Sequence, residues 1–164
     1  MGQRYGGRAV TRVRTTVEVE APPERVWRVV ADPQNLPRWD RHIADVRGVP
    51  PEGIAAGTEY ETDVQLAGIR STVRARVEEL DRPHFARIRL DGLVDAVVTT
   101  HLTPVGEGRT RLDQEVDFRF RGGPVGRMAA RALKMTGGPS LALRRGVLAQ
   151  KRQVEAEGAE DPGS

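Results

Sequence analysis

From Ile43 to Phe120 apolar and polar residues alternate with period two, and turn-favouring residues cut the alternation at short intervals. The cuts fall at Pro50-Pro51-Glu52-Gly53, Ala67-Gly68, Asp81-Arg82-Pro83, Asp91-Gly92 and Gly106-Glu107-Gly108, leaving six segments. Connections this short join neighbours mostly as antiparallel hairpins. Period two sends Tyr60, Thr62, Val64 and Leu66 to one face and Glu59, Glu61, Asp63 and Gln65 to the other. The last segment repeats the device: Leu112, Gln114, Val116, Phe118 and Phe120 oppose Arg111, Asp113, Glu115, Asp117 and Arg119. The sheet therefore has one oily face and one solvated lattice of charges, whose cross-strand ion pairs stabilise it by only ~0.2–1 kcal/mol each.

An oily face needs a cover, and the flanking sequence supplies it. Val13, Thr15, Val17 and Val19 alternate as a seventh strand, which Ala21-Pro22-Pro23-Glu24 stops. Val26, Trp27, Val29 and Val30 follow at helical spacing with prolines in the permitted first turn, predicting a short helix. Asp32-Pro33 reads as a cap opening a second short turn that carries Leu36 and Trp39. After Gly122-Gly123-Pro124 the period becomes helical: Val125, Met128, Ala129, Ala132 and Leu133 share a stripe, continued by Leu141, Val147, Leu148 and Val154. This predicts a long C-terminal helix, broken or kinked at Thr136-Gly137-Gly138-Pro139. The expected fold is α+β, a seven-stranded curved antiparallel sheet wrapped around that helix, in one domain over residues 9–157 with flexible tails at 1–8 and 158–164.

Composition narrows the function. The 164 residues are 38% hydrophobic and 30% charged, which suits one globular domain. No apolar run approaches the ~20 residues of a membrane span and no signal peptide opens the chain, so a cytoplasmic location is expected. The absence of cysteine excludes disulfides, thiolate nucleophiles, zinc ribbons and iron–sulfur clusters. Net charge is only +3, and the arginines interleave with acids, as in Arg74, Arg76, Glu78 and Glu79. With aromatics at 4%, neither a single-sign field nor a base-stacking platform is available, so nucleic acid is not an expected partner.

Val17-Glu18-Val19, then Ala21-Pro22-Pro23-Glu24-Arg25-Val26-Trp27, then Asp32-Pro33-Gln34-Asn35-Leu36-Pro37-Arg38-Trp39 resembles the opening of the START-like, Bet v 1-like SRPBCC superfamily, particularly its bacterial polyketide cyclase/dehydrase and lipid-transport branch. Leu102-Thr103-Pro104 leading through a glycine turn to Thr110-Arg111-Leu112, and a basic terminal helix ending Lys151-Arg152, are similar too; the resemblance spans about Val13 to Glu155. It implies a helix-grip fold with a cavity between the concave sheet face and the C-terminal helix. It does not imply one function, because the superfamily uses that cavity for transport, sensing, cyclisation and dehydration.

The expected lining is Tyr60, Thr62 and Val64, then Val73, Ala75 and Val77, then Val98, Thr100 and Leu102, then Gln114, Val116 and Phe118, with Met128 and Ala132 from the helix and Trp39 at the rim. It holds no carboxylate, lysine or histidine, which is the composition of an apolar binding pocket with a few orienting groups. The leading expectation is a binder of a lipid-like or polyketide-like small molecule, with no cofactor implied. One alternative is a cofactor-independent polyketide cyclase or dehydratase, with Tyr60 and His42 moving protons and Gln114 orienting a carbonyl. Another is a protein-interaction module with a filled cavity.

Other residues have plainer readings. His101 and Asp95 share outward parity, though a reversed parity would make them an internal acid/base pair; His84 falls in a turn. The three histidines lack metal-ligand spacing, so no metal site is expected. Trp27, Met128 and Met135 read as core packing. Gly122-Gly123-Pro124-Val125-Gly126 lacks the Lys-Ser/Thr ending of a phosphate loop. No acid occurs from Gly122 through Val154, while Arg127, Arg131, Lys134, Arg144, Arg145, Lys151 and Arg152 do. The plain reading is the outer face of a core helix. The sharper one is a contact with an acyl carrier protein or an anionic membrane through Arg144, Arg145 and Arg152.

Overall fold

The computed structural model describes residues 10–66 and 68–160. Its elements, in chain order, are β1 (Thr11–Val19), α1 (Pro23–Val30), a 3-10 turn (Pro33–Asn35), α2 (Leu36–Trp39), β2 (Ile43–Arg47), β3 (Glu59–Leu66), β4 (Ile69–Asp81), β5 (Phe85–Asp91), β6 (Val94–Pro104), β7 (Thr110–Phe120), α3 (Pro124–Met135) and α4 (Pro139–Glu160). The seven strands form one antiparallel sheet in the order β1-β7-β6-β5-β4-β3-β2. The expected α+β class, strand number and order of elements therefore hold.

Local chemistry accounts for the boundaries. The Asp32 carboxylate accepts a hydrogen bond from the Gln34 N–H at 3.0 Å, capping the turn that Pro33 opens. Two irregularities bend the sheet, one between Ile43 and Asp45 and one between Val77 and Glu79. The second inserts Glu78 as an extra residue, so parity switches and Leu80 returns to the inner face opposite Ala86. Between α3 and α4 the chain turns through Gly137 and Gly138 at φ of +102° and +87°, conformations that side-chain-bearing residues rarely adopt. The C-terminal helix is therefore two helices. α4 runs through Glu160, so 158–160 is helical; the expected tail residues 1–8 and 161–164, and residue 9 of the expected domain, lie outside the described residues.

The core is concentrated at one end of the grip. Val19, Val26, Leu112 and Val147, all at 0% exposure, pack with Trp27, Val29, Leu102 and Val154, joining β1, β6, β7, α1 and α4. Each such burial stabilises the fold by about 1.5–3 kcal/mol. Ile54, Tyr60, Ala75 and Val77 form a second cluster beneath the loop after β2, and Val13, Ala96 and Phe118 a third at the far end of β7.

On the outer face the arginines and acids pair as strand neighbours, with Arg12 on Asp117 at 2.6 Å and Arg14 on Asp113 at 3.2 Å. Asp63 departs from the expected solvated lattice. It is only 7% exposed, and its carboxylate accepts hydrogen bonds from Arg47, Arg70 and Thr72 at 2.8–2.9 Å. Long arginines from β2 and β4 fold over it, which alternation alone does not reveal.

Candidate functional site

The concave face is built from rows of paired strand residues. Thr15, Gln114, Thr100 and Ala86 form one row across β1, β7, β6 and β5; Val13, Val116, Val98, Ile88 and Val77 form the next, extending to β4. Tyr60, Thr62 and Val64 of β3 face Ala75, Val73 and Ser71 of β4 along the opposite wall. Helix α4 lies over the β1 side and meets α1 and α2, while α3 touches β7 and α4. Packing is accordingly uneven. Leu102, Leu112 and Ala75 are fully buried, yet Val64, Val73, Val98 and Val116, on the same inner face, are only partly buried. Apolar side chains inside a grip remain accessible only where the helices do not cover them.

One polar cluster sits in this interior. Gln114 on β7 donates from Nε2 to Thr100 Oγ1 and to Gln150 Oε1, each at 3.2 Å, and Gln150 Nε2 returns a bond to Gln114 Oε1 at 3.3 Å. All three residues are between 6% and 7% exposed. Burying two amides is tolerable because each satisfies the other. An amide has two donors and a carbonyl with two lone pairs, so this pairing leaves one Gln150 N–H and a lone pair on each carbonyl unspent. The sequence reading singled out Gln114 and missed Gln150. The signal was available: Leu143, Val147, Gln150 and Val154 repeat at heptad-like spacing along α4, and a glutamine on such a stripe must find a buried partner.

Tyr60 is 5% exposed, and burial pushes its phenol up to about 12. It stays protonated at neutral pH, so it is a hydrogen-bond donor and not a base. His42 stands at the α2–β2 connection with Nδ1 2.8 Å from Asp40 Oδ1, an oxygen that also accepts the His42 backbone N–H at 2.8 Å. This pairing fixes the ring and favours the proton on Nδ1, leaving Nε2 as the acceptor in the neutral form. Four strand spacings of about 4.8 Å separate β3 from β7 along the sheet, so Tyr60 and Gln114 belong to opposite walls. His42, Tyr60 and Gln114 do not converge into one hydrogen-bonded constellation.

The remaining candidates divide. Trp27 is core, as expected. Trp39 donates its indole N–H to Gln153 Oε1 at 2.9 Å, and Gln153 in turn donates to Asn35 at 3.2 Å, so Trp39 ties α2 to α4 and its polar edge is not free for a ligand. His101 faces outward and packs on Phe85 with ring centroids 4.9 Å apart, while Asp95 pairs outside with Arg119 and Arg121, so the internal acid/base alternative does not form. Met128 and Met135 correct the core-stripe reading, being 47% and 87% exposed. Ala132, beside Met128 on α3, is partly buried. Outside the apolar interior, a shallow cleft of about 250 Å³ lies at the β2–β3 edge, lined by Arg47, Gly48, Glu59, Tyr60, Glu61 and Arg74. Its charged lining sets it apart from the oily face.

A curved antiparallel sheet closing on a C-terminal helix around a partly open apolar interior defines a helix-grip protein of the START-like kind. Residues 10–147 match the family described as polyketide cyclase / dehydrase and lipid transport, and the chain belongs to that family. Among curated proteins it is similar to uncharacterized proteins of Mycobacterium tuberculosis and Mycobacterium bovis, 44% identical over 45 residues; that match spans 27% of this chain and 27% of theirs. Among solved structures it resembles a protein of Thermus thermophilus (TM-score 0.70, 19% identity, 90% of this chain and 99% of that one). It also resembles the Zhui aromatase/cyclase of Streptomyces sp. R1128 (TM-score 0.69, 21% identity, 95% and 98%). A START superfamily protein of Mycobacterium smegmatis is similar as well (TM-score 0.66, 21% identity, 88% and 97%). At these identities the structural likeness establishes the fold alone.

Proposed function

We propose that the protein binds a hydrophobic small molecule, lipid-like or polyketide-like, between the concave sheet face and α4. The observation that carries this reading is the partial burial of Val64, Val73, Val98 and Val116 on the inner face of a grip that is fully packed at its other end. Apolar contact supplies the affinity, and the unspent hydrogen-bonding capacity of Gln114 and Gln150 orients one polar group of the ligand. No acid or base lies among these contacts, which favours binding over proton-transfer chemistry. A second reading, a cofactor-independent cyclase or dehydratase, is favoured by one observation, the His42 ring held by Asp40. In that case the cavity folds a reactive chain and His42 Nε2 accepts a proton.

Native mass spectrometry of the purified protein, followed by denaturing extraction, tests the proposal. The expected result is a retained hydrophobic compound of defined mass, or a thermal shift with at least one member of a panel of fatty acids, quinones and aromatic polyketides. A clean apo mass with no shift across the panel overturns it in favour of an interaction module with a filled interior.

A further inference from the structure

The surface of α3 has a chemistry that the interior does not explain. Of the large apolar side chains that the described residues leave exposed, all but Val10 stand between Val125 and Leu141. On a helix advancing about 100° per residue, Val125, Met128 and Met135 fall within one sector of α3, and Arg127, Arg131 and Lys134 fall in the sector beside it. Both sectors are exposed; the inward side of α3 fully buries only Gly126 and Ala129. The cations differ from those of the sheet. Most arginines of the outer face, Arg12, Arg14, Arg47 and Arg89 among them, lie against carboxylates, whereas no carboxylate among the described residues pairs with Arg127, Arg131 or Lys134.

We propose that α3 docks the protein onto an anionic phospholipid bilayer, with Arg127, Arg131 and Lys134 on the phosphates and Val125, Met128 and Met135 at the acyl boundary. An interfacial helix needs this pairing of a cationic sector and an apolar sector, and it lies in the membrane plane without spanning it. An acidic protein surface would satisfy the cations but would leave protruding methionines against polar side chains; the bilayer satisfies both. The shape of the segment fits the role. Glycines of positive φ flank α3 at Gly123, Gly137 and Gly138, and the main contacts of α3 with the body are to β7 and α4, so the helix can seat on a surface without disturbing the core around Trp27 and Val147. The proposal is independent of what the cavity holds.

The test is co-sedimentation of the full chain with vesicles of phosphatidylcholine alone and with about 30% phosphatidylglycerol. Binding to the anionic vesicles that weakens with salt is expected, with little binding to the neutral ones. R127Q/R131Q/K134Q should lower the partition coefficient on the order of 100-fold. M128S/M135S should lower it about tenfold and remove the part that survives high salt. Both variants alter exposed side chains, so circular dichroism and Tm should match the parent. A control removing as many charges from the outer sheet face, R12Q/R14Q/R76Q, should cost far less binding. Failure of the parent to bind anionic vesicles overturns the proposal, as does an equal loss in the sheet control. Capture of the protein by a purified acidic acyl carrier protein through the α3 cations, without vesicle binding, overturns it as well.

Discussion

Buried polar side chains decide most at the scale of single residues. The Gln114–Gln150 pair is reciprocal, so removing one member strands the other inside the grip, while removing both leaves the Thr100 hydroxyl as the one group of the cluster that loses a partner. Q114L and Q150L should each destabilise by about 1–3 kcal/mol, and the double variant by less than the sum, as urea denaturation of all four proteins will show. Tyr60 adds a pH dependence. Its folded phenol titrates at about 12, above the unfolded value near 10, so the folded state holds a proton that the unfolded chain gives up. Stability is unaffected below pH about 10 and falls above it by up to about 1.4 kcal/mol per pH unit; Y60F should flatten that alkaline limb. Asp63 works in the opposite sense. Hydrogen bonds from Arg47, Thr72 and Arg70 hold its carboxyl far below the usual range, so its contribution is present above pH about 4 and is lost as pH falls below that. D63N should lower Tm at neutral pH and lessen the loss on acidification. Of these residues, Tyr60 and Gln114 were legible in the sequence as inward positions, because period two assigns a face. Gln150 was legible as well, as a position on the apolar stripe of α4; Asp63 was not, because what buries it is the reach of Arg47 and Arg70 from β2 and β4.

At the scale of elements, the strands were the most legible part of the chain: each turn cluster in the sequence lies between observed strands, because proline fixes its own φ and glycine admits turn conformations that other residues avoid, wherever they stand. The turn at Gly137 and Gly138 was legible for the same reason. The role of α3 was not. Its apolar stripe reads as core packing, whereas α3 follows the end of β7 and fully buries only Gly126 and Ala129, leaving Met128 and Met135 exposed. Gly126 makes the placement of α3 testable. A Cβ built there would lie 1.7 Å from the Arg121 carbonyl oxygen, a backbone atom that cannot swing aside. Two effects oppose in Gly126→Ala: helix propensity favours alanine by about 1 kcal/mol, and the clash pushes α3 away from the end of β7. The clash should win, so amide exchange across 124–135 should accelerate by about tenfold or more while the amides of β6 and β7 keep their protection. Slower exchange in α3 would mean that its contact with Arg121 does not set its stability.

For the whole molecule, the question is whether the grip is open or filled, and a core enlargement answers it. Val98 and Val116 are register partners in the middle of the concave face, and both are partly buried. In a close-packed interior, replacing such a valine by phenylalanine overpacks and costs about 1–3 kcal/mol. In an interior with room for a ligand, the ring occupies that room and the cost is small. V98F should therefore leave the Tm of the ligand-free protein within a few degrees of the parent. A ligand present at about 100 times its Kd raises the parent's Tm by about 5–10 °C, since binding to the folded state alone stabilises it by about 2.7 kcal/mol. In V98F that shift should disappear, because the added ring and the ligand compete for one volume. Loss of the shift without loss of intrinsic stability locates the ligand in the grip. A strongly destabilised V98F shows instead that the valines pack against a filled core, and the protein then acts through its surface.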